Sequence, residues 1–191
     1  MAERPPATTA AVVLAAGGGT RYDGDGHKLL ASFRGRPVVE WAIEAAVAAG
    51  LDATYVVTGA VDLLDHVPDG VVVIHNESWA EGQATSLRVA ARVVEADGHS
   101  AMVVGLGDMP LVEAPAWRAV ATADGQLVTA TYAGRRSPPT KIAADLFAVL
   151  PISGDEGARA LMRLRPDLVI EIACPGQPID IDTRGDLRRW S

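Results

Sequence analysis

Five short segments, "TAAVVLAA", "ATYVVTG", "GVVVIH", "SAMVVGLGD" and "QLVTATY", are built mostly of Val, Ala and Thr and run out into Gly, Asn or Asp. Near-continuous apolar runs of this length predict strands buried on both faces. Between them, "PVVEWAIEAAVAAG" and "ATSLRVAARVVEAD" carry apolar residues at three- and four-residue spacing, which predicts amphipathic helices; Pro37 stands near the start of the first and Gly50 just past its end. Strand then helix, repeated, predicts an α/β architecture with a mostly parallel sheet and helices on both faces. In such sheets ligands bind outside the carboxyl ends of the strands, so chemically interesting residues are expected just after the strands.

From about Arg135 the rhythm changes. "GRRSPPTKI" fits no clear period, "AADLFAVL" and "DEGARALMRL" predict helices, "DLVIEIA" a short strand, and "GQPIDIDTRGDLRRW" a tail with a final helix. No linker or composition shift separates this part, so residues 1–191 are expected to form one domain, with halves at about 8–134 and 135–191. A chain of 191 residues, 49% hydrophobic and 21% charged, suits a folded protein with a substantial core.

Charge and cysteine content narrow the setting. The formal charge of -7, with no run of Lys or Arg, argues against nucleic acid or an anionic membrane as partner. A small anionic substrate remains compatible where a divalent cation neutralises a local acidic cluster. Cys174 is the only cysteine, which excludes an internal disulfide and a thiolate metal cage and points to the cytoplasm. "AAVVLAA" has the length of a signal-peptide core, but Glu3 cancels Arg4 ahead of it and glycines follow, so it reads as the first strand. No apolar run approaches the roughly 20 residues that span a bilayer. His27, His66, His75 and His99 show no ligand-like pairing, and no GxSxG nucleophile turn is present.

The candidate chemistry begins at "VVLAAGGGTRYDGDGHKLL", residues 12–30. A glycine-rich loop after a strand can lay backbone N–H groups against an anion. Neither familiar pattern fits: Lys28 is not set in GxxxxGK[ST], and Tyr22 stands where GxGxxG needs its third glycine. Three consecutive glycines alone suit a purely structural turn equally well. Arg21 and Lys28 flanking the loop favour an anion, since paired cations stabilise polyphosphate charge.

This stretch resembles the LAAGxSxRxGxxK signature of the MobA-like NTP transferases, closest to those that attach CMP to molybdopterin. "NESWAEGQATSLRVA", "GLGDMPLV", "GDEGARALM" and "DIDTRGDL" have counterparts in the same order along nearly the whole chain. The resemblance implies a three-layer α/β/α Rossmann-like nucleotidyltransferase fold with a mostly parallel mixed sheet. It implies nucleotide binding by Leu14, Ala15, Ala16, Gly17, Gly18, Gly19, Gly82, Gln83 and Ser86; catalysis by Arg21, Lys28 and Asp108; and Mg²⁺ held by Asp108 and Asp182. CTP and molybdopterin are the implied substrates, with a molybdoenzyme or its chaperone downstream. GTP-using and sugar-phosphate nucleotidyltransferases, and a non-catalytic nucleotide or cofactor carrier, stay open. Gly19 replaces the family's usual serine, the Arg21–Lys28 segment is longer than usual, and "GRRSPPT" places Ser137 and Pro138 where cytidylyl members carry Gly and His.

Local readings of the two aspartates also exist. Asp108 could cap the turn before Met109-Pro110, and Asp182 or Thr183 could cap the final helix. Mg²⁺ is typically held by one or two carboxylates plus phosphates and water, so two aspartates from separate strands meet its needs. Asp180 and Asp186 lie close enough to compete for the second position.

Overall fold

The structure is a computed structural model and describes residues 7–191; Glu3 and Arg4 lie outside the described residues. The strands are β1 (Thr9–Leu14), β2 (Ser32–Phe33), β3 (Arg36–Pro37), β4 (Ala53–Thr58), β5 (Val72–His75), β6 (Ala101–Leu106), β7 (Leu127–Tyr132), β8 (Arg135–Ala143) and β9 (Val169–Ala173). The helices are α1 (Val38–Ala48), α2 (Gln83–Ala96), α3 (Ala114–Thr122), α4 (Ala158–Leu164) and α5 (Arg184–Trp190). Seven strands form one sheet in the order β5-β4-β1-β6-β8-β7-β9, in which only β8 runs antiparallel to its neighbours. β1 is an interior strand between β4 and β6, and its residues from Ala10 to Val13 are fully buried.

Alternation along β1 explains the layers. Ala11 and Val13 face the side covered by α1 and α3, while Ala10, Val12 and Leu14 face α2 and α4. Side chains of both parities are apolar because helices cover both faces of the sheet. Trp117 of α3 fills the first layer so closely that a Cβ on Gly105 would collide with its indole, which accounts for a glycine inside β6.

The second half departs from the sequence expectation in several places. All of "GRRSPPTKI" but its glycine belongs to the nine-residue β8, which is paired on both sides in the sheet despite two prolines. Proline cannot donate to a ladder. Pro138 and Pro139 fall in the register shift where the β7 pairing jumps from Thr129–Thr140 to Ala130–Ser137, and β6 pairs with β8 only from Thr140 onward. "AADLFAVL" forms a 3₁₀ segment, Ala144–Val149, rather than an α-helix, closed by Leu150 donating to the Phe147 carbonyl just before Pro151. "DEGARALMRL" is helical only over Ala158–Leu164, because Gly157 at φ 49° cannot extend the helix backwards. α3 and the β2–β3 hairpin are additions that the periodicity did not indicate.

Candidate active site

β1 ends at Leu14, and the next residues are fixed from both sides. Ala15 N–H donates to the Val57 carbonyl (2.8 Å), Gly107 N–H to the Leu14 carbonyl (2.9 Å), and Ala60 N–H to the Ala16 carbonyl (3.0 Å). The glycines then divide their roles. A Cβ on Gly18 would stand 2.9 Å from the Trp79 ring, Gly19 adopts a left-handed φ of 60°, and Gly17 faces open space.

His27 closes this loop. Leu29 N–H donates to its Nδ1 (3.3 Å), so the ring proton sits on Nε2 and donates to the Gly17 carbonyl (3.0 Å). Burial holds the imidazole below its usual pKa, with the Gly17 carbonyl pulling the other way.

Lys28 is 9% exposed and reaches into the cavity beyond the loop. Its Nζ donates to Asp108 Oδ2 at 2.6 Å and to Asp182 Oδ1 at 2.8 Å, so residues far apart in sequence meet at one ammonium. Arg21 Nη1 pairs with Asp182 Oδ2 at 3.0 Å. Burial alone would lower the Lys28 pKa, but the Asp108 charge and then Asp182 more than offset it, leaving the group above its ordinary value.

Local backbone chemistry brings Asp182 here. Ile181, fully buried, donates its N–H to the Asp108 carbonyl at 2.9 Å, tying the two acid-bearing segments together. Thr183 caps α5 in a capping box with Asp186, whose carboxylate also accepts from Asp182 N–H at 3.2 Å. Asp186 is thereby committed to the cap and Asp182 faces the cavity. Asp108 Oδ1 is buried with no hydrogen-bond partner among the described residues, a costly arrangement that a bound cation would relieve. Two carboxylates with one orphaned oxygen fit a hard, oxygen-seeking divalent cation.

A cavity of about 500 Å³ lies over the glycine loop. Leu14, Ala15, Ala16, Gly17, Gly18, Gly19, Arg21, Lys28, Gly82, Gln83, Ser86, Asp108 and Asp182 all line it. A second cavity of about 440 Å³ shares Arg21, Gln83, Asp108 and Asp182 with the first and extends under β8 and α4. Sequence reasoning gave no role to Trp79, which walls the first cavity, or to Asp155, which lines both; each stood within a quoted motif, but nothing in the spacing marked it. Asp180 lines the second cavity, where burial and then the Asp108 and Asp182 charges push its carboxyl up to about 6.

The MobA-like NTP transferase domain matches residues 11–169 of the chain. The chain belongs to that family. Rv0371c from Mycobacterium tuberculosis H37Rv superposes with a TM-score of 0.82 at 28% identity, covering 96% of this chain and 97% of that one. A nucleotidyl transferase from Methanothermobacter thermautotroptrophicus gives 0.79 at 26% identity, with 95% of each chain covered. Rv0371C in complex with manganese superposes with a TM-score of 0.76 at 28% identity, covering 96% of this chain and 97% of that one, so a divalent metal is compatible with this scaffold. Among curated relatives, nicotine blue oxidoreductase of Paenarthrobacter nicotinovorans is 32% identical, covering 90% of this chain and 91% of its own length. The bifunctional protein GlmU of Zymomonas mobilis is 34% identical over 54% of this chain, which spans 24% of GlmU. No helix among the described residues is long and apolar enough to cross a membrane.

Proposed function

We propose that this MobA-like NTP transferase moves CMP from CTP to a phosphate on a small acceptor, molybdopterin being the one its motifs imply, and releases pyrophosphate in the cytoplasm. The observation that carries the reading is the meeting of Asp108 and Asp182 at Lys28, between the glycine-loop cavity and a second one. The triphosphate occupies the first cavity, with backbone N–H groups of the glycine loop on its phosphates and Gly82, Gln83 and Ser86 toward base and ribose. Residues of about 8–134 form most of the nucleotide side and residues of about 135–191 most of the acceptor side.

An acceptor phosphate oxygen attacks the α-phosphorus, one P–O bond forms, and the bond to the β-phosphate breaks with its electron pair leaving on pyrophosphate. The attacking oxygen is already anionic, so the protein's tasks are alignment and charge compensation. Arg21 and Lys28 offset charge on the α-phosphoryl oxygens and the leaving pyrophosphate. Asp108 and Asp182 would hold Mg²⁺, which when bound supplies Lewis-acid neutralisation of phosphate charge. The choice of CTP rests on "VVTGA" and "LGDMPLV"; GTP and a sugar-phosphate acceptor are the nearest rivals. A molybdoenzyme or its chaperone would take the finished product.

A second reading, oxidation or reduction of a small aromatic molecule in the same cavities, is favoured by the 32% identity to nicotine blue oxidoreductase over nearly its whole length. One assay separates them: CTP, GTP, ATP and UTP are offered with magnesium and molybdopterin while pyrophosphate is followed, and NAD(P)H oxidation by an added quinonoid dye as electron acceptor is followed in parallel. Pyrophosphate release with CTP preferred supports the proposal. A GTP preference overturns the nucleotide, nicotinamide oxidation without pyrophosphate overturns the reaction, and nucleotide binding with neither indicates a carrier.

A further inference from the structure

The second cavity raises a question of charge. Its floor is apolar, with Val104, Leu106, Pro138 and Met162, yet Asp108, Asp155, Glu156, Asp180 and Asp182 all line it. A phosphorylated acceptor entering it meets acid on several sides. Three arginines besides Arg21 stand at its walls: Arg136, Arg159 and Arg163.

Two of the three are engaged. Arg136 donates to Glu171 Oε1 at 2.7 Å, and Arg163 pairs with Glu156 through its two terminal nitrogens, Nη1 and Nη2. Arg159 makes no ion pair and no side-chain hydrogen bond among the described residues. A guanidinium offers a planar fork of donors that matches two oxygens of one phosphate.

Arg159 is also registered to the nucleotide side. It sits at the start of α4, two residues after Gly157, whose missing side chain makes room for the Gln83 amide. Ala84 N–H donates to the Gly154 carbonyl at 2.9 Å, and a Cβ on Gly82 would stand 2.6 Å from that same carbonyl. The loops at 81–84 and 154–157 are therefore interlocked backbone to backbone, and α4 is held at a fixed offset from the nucleotide cavity.

We propose that Arg159 is the anchor for the acceptor's phosphate monoester, binding two of its oxygens while the apolar floor takes the acceptor's ring body. The inference rests on the transfer reading and deepens it. The third phosphate oxygen is left to attack the α-phosphorus; no proton moves, and the electron pair of the broken bond leaves on pyrophosphate. Arg136 and Arg163, held by their carboxylates, shape the rim.

Calorimetry with 6-hydroxymethylpterin monophosphate as probe, in the presence of magnesium and α,β-methylene-CTP, tests this directly. Arg159→Ala is expected to weaken the probe at least tenfold and to leave the nucleotide analogue within twofold of the parent. Arg159→Lys should recover part of the loss, Arg136→Ala should change the probe less than threefold, and the dephosphorylated pterin should bind parent and Arg159→Ala alike. Unchanged probe affinity in Arg159→Ala, no probe binding by the parent, or an equal loss of nucleotide affinity would overturn the assignment. In turnover, Arg159→Ala should raise the acceptor KM and leave the CTP KM alone. Probe binding through Arg159 without pyrophosphate release would sink the transfer reading and keep the anchor; release with a parental acceptor KM would do the reverse.

Discussion

Replacing Lys28 by Met keeps the alkyl stem packed and removes only the ammonium shared by Asp108 and Asp182. The three side chains are 11%, 19% and 21% exposed, so the ion pairs are mostly sheltered from solvent. Removing one member of a buried pair typically costs about 3–5 kcal/mol. Partial exposure and the remaining Arg21 contact to Asp182 reduce this here to roughly 2–4 kcal/mol. At roughly 2–4 °C per kcal/mol for a chain of this size, the Tm in EDTA should fall by roughly 5–15 °C. Magnesium or manganese should then restore more of the Tm in Lys28→Met than it adds to the parent, because the variant leaves the two carboxylates without the ammonium they share. Thermal denaturation with and without metal reads both effects. A Lys28→Met protein as stable as the parent in EDTA, with the same response to metal, would refute the idea that the ammonium holds two mutually repelling carboxylates at a cation site.

Other outcomes follow from the same geometry. Burial depresses the His27 pKa below 6.5, so its contribution is fully present above that value and is lost as pH falls through the folded pKa; His27→Gln should flatten the fall in stability as pH drops below 6.5, measured by denaturant midpoint. Thr183→Ala breaks the capping box beside Asp182 and should cost about 1 kcal/mol, visible as a lower Tm together with weaker metal binding. Gly157→Ala forces a side chain into a left-handed backbone against Gln83 and should destabilise by about 1–3 kcal/mol while lowering CTP affinity; unchanged CTP binding would contradict the interlocked loops.

The parts of the fold most readable in the sequence are those where one local rule governs. β1, β4, β6 and β7 are apolar runs because helices cover both faces, and α1 and α2 carry their period over several turns. Beyond Arg135 that match breaks down. β8 holds two prolines because it bulges at Pro138 and Pro139, which face no β7 partner between Thr129 and Ala130 and so owe the ladder no donor, a pairing that no period in β8 announces. α3 is only nine residues long, and its pattern "APAWRAVAT" is too short to stand out. At the site, Lys28, Asp108 and Asp182 could be named from motif order, but their convergence depends on Ile181 pairing with the Asp108 carbonyl, a tertiary contact without sequence periodicity. Arg159 shows the limit most plainly, since the role proposed for it rests on its lacking, among the described residues, the carboxylate partner that Arg136 and Arg163 possess.

The most direct measurement is a crystal of the protein grown with CTP and Mn²⁺, with anomalous diffraction used to find the metal. One strong peak is expected within coordinating distance of Asp108 and Asp182, with the triphosphate over the glycine loop and Lys28 turned toward phosphate oxygens. A peak elsewhere, or nucleotide bound with the Lys28 bridge to both carboxylates intact, would rule out a shared metal site at these two aspartates.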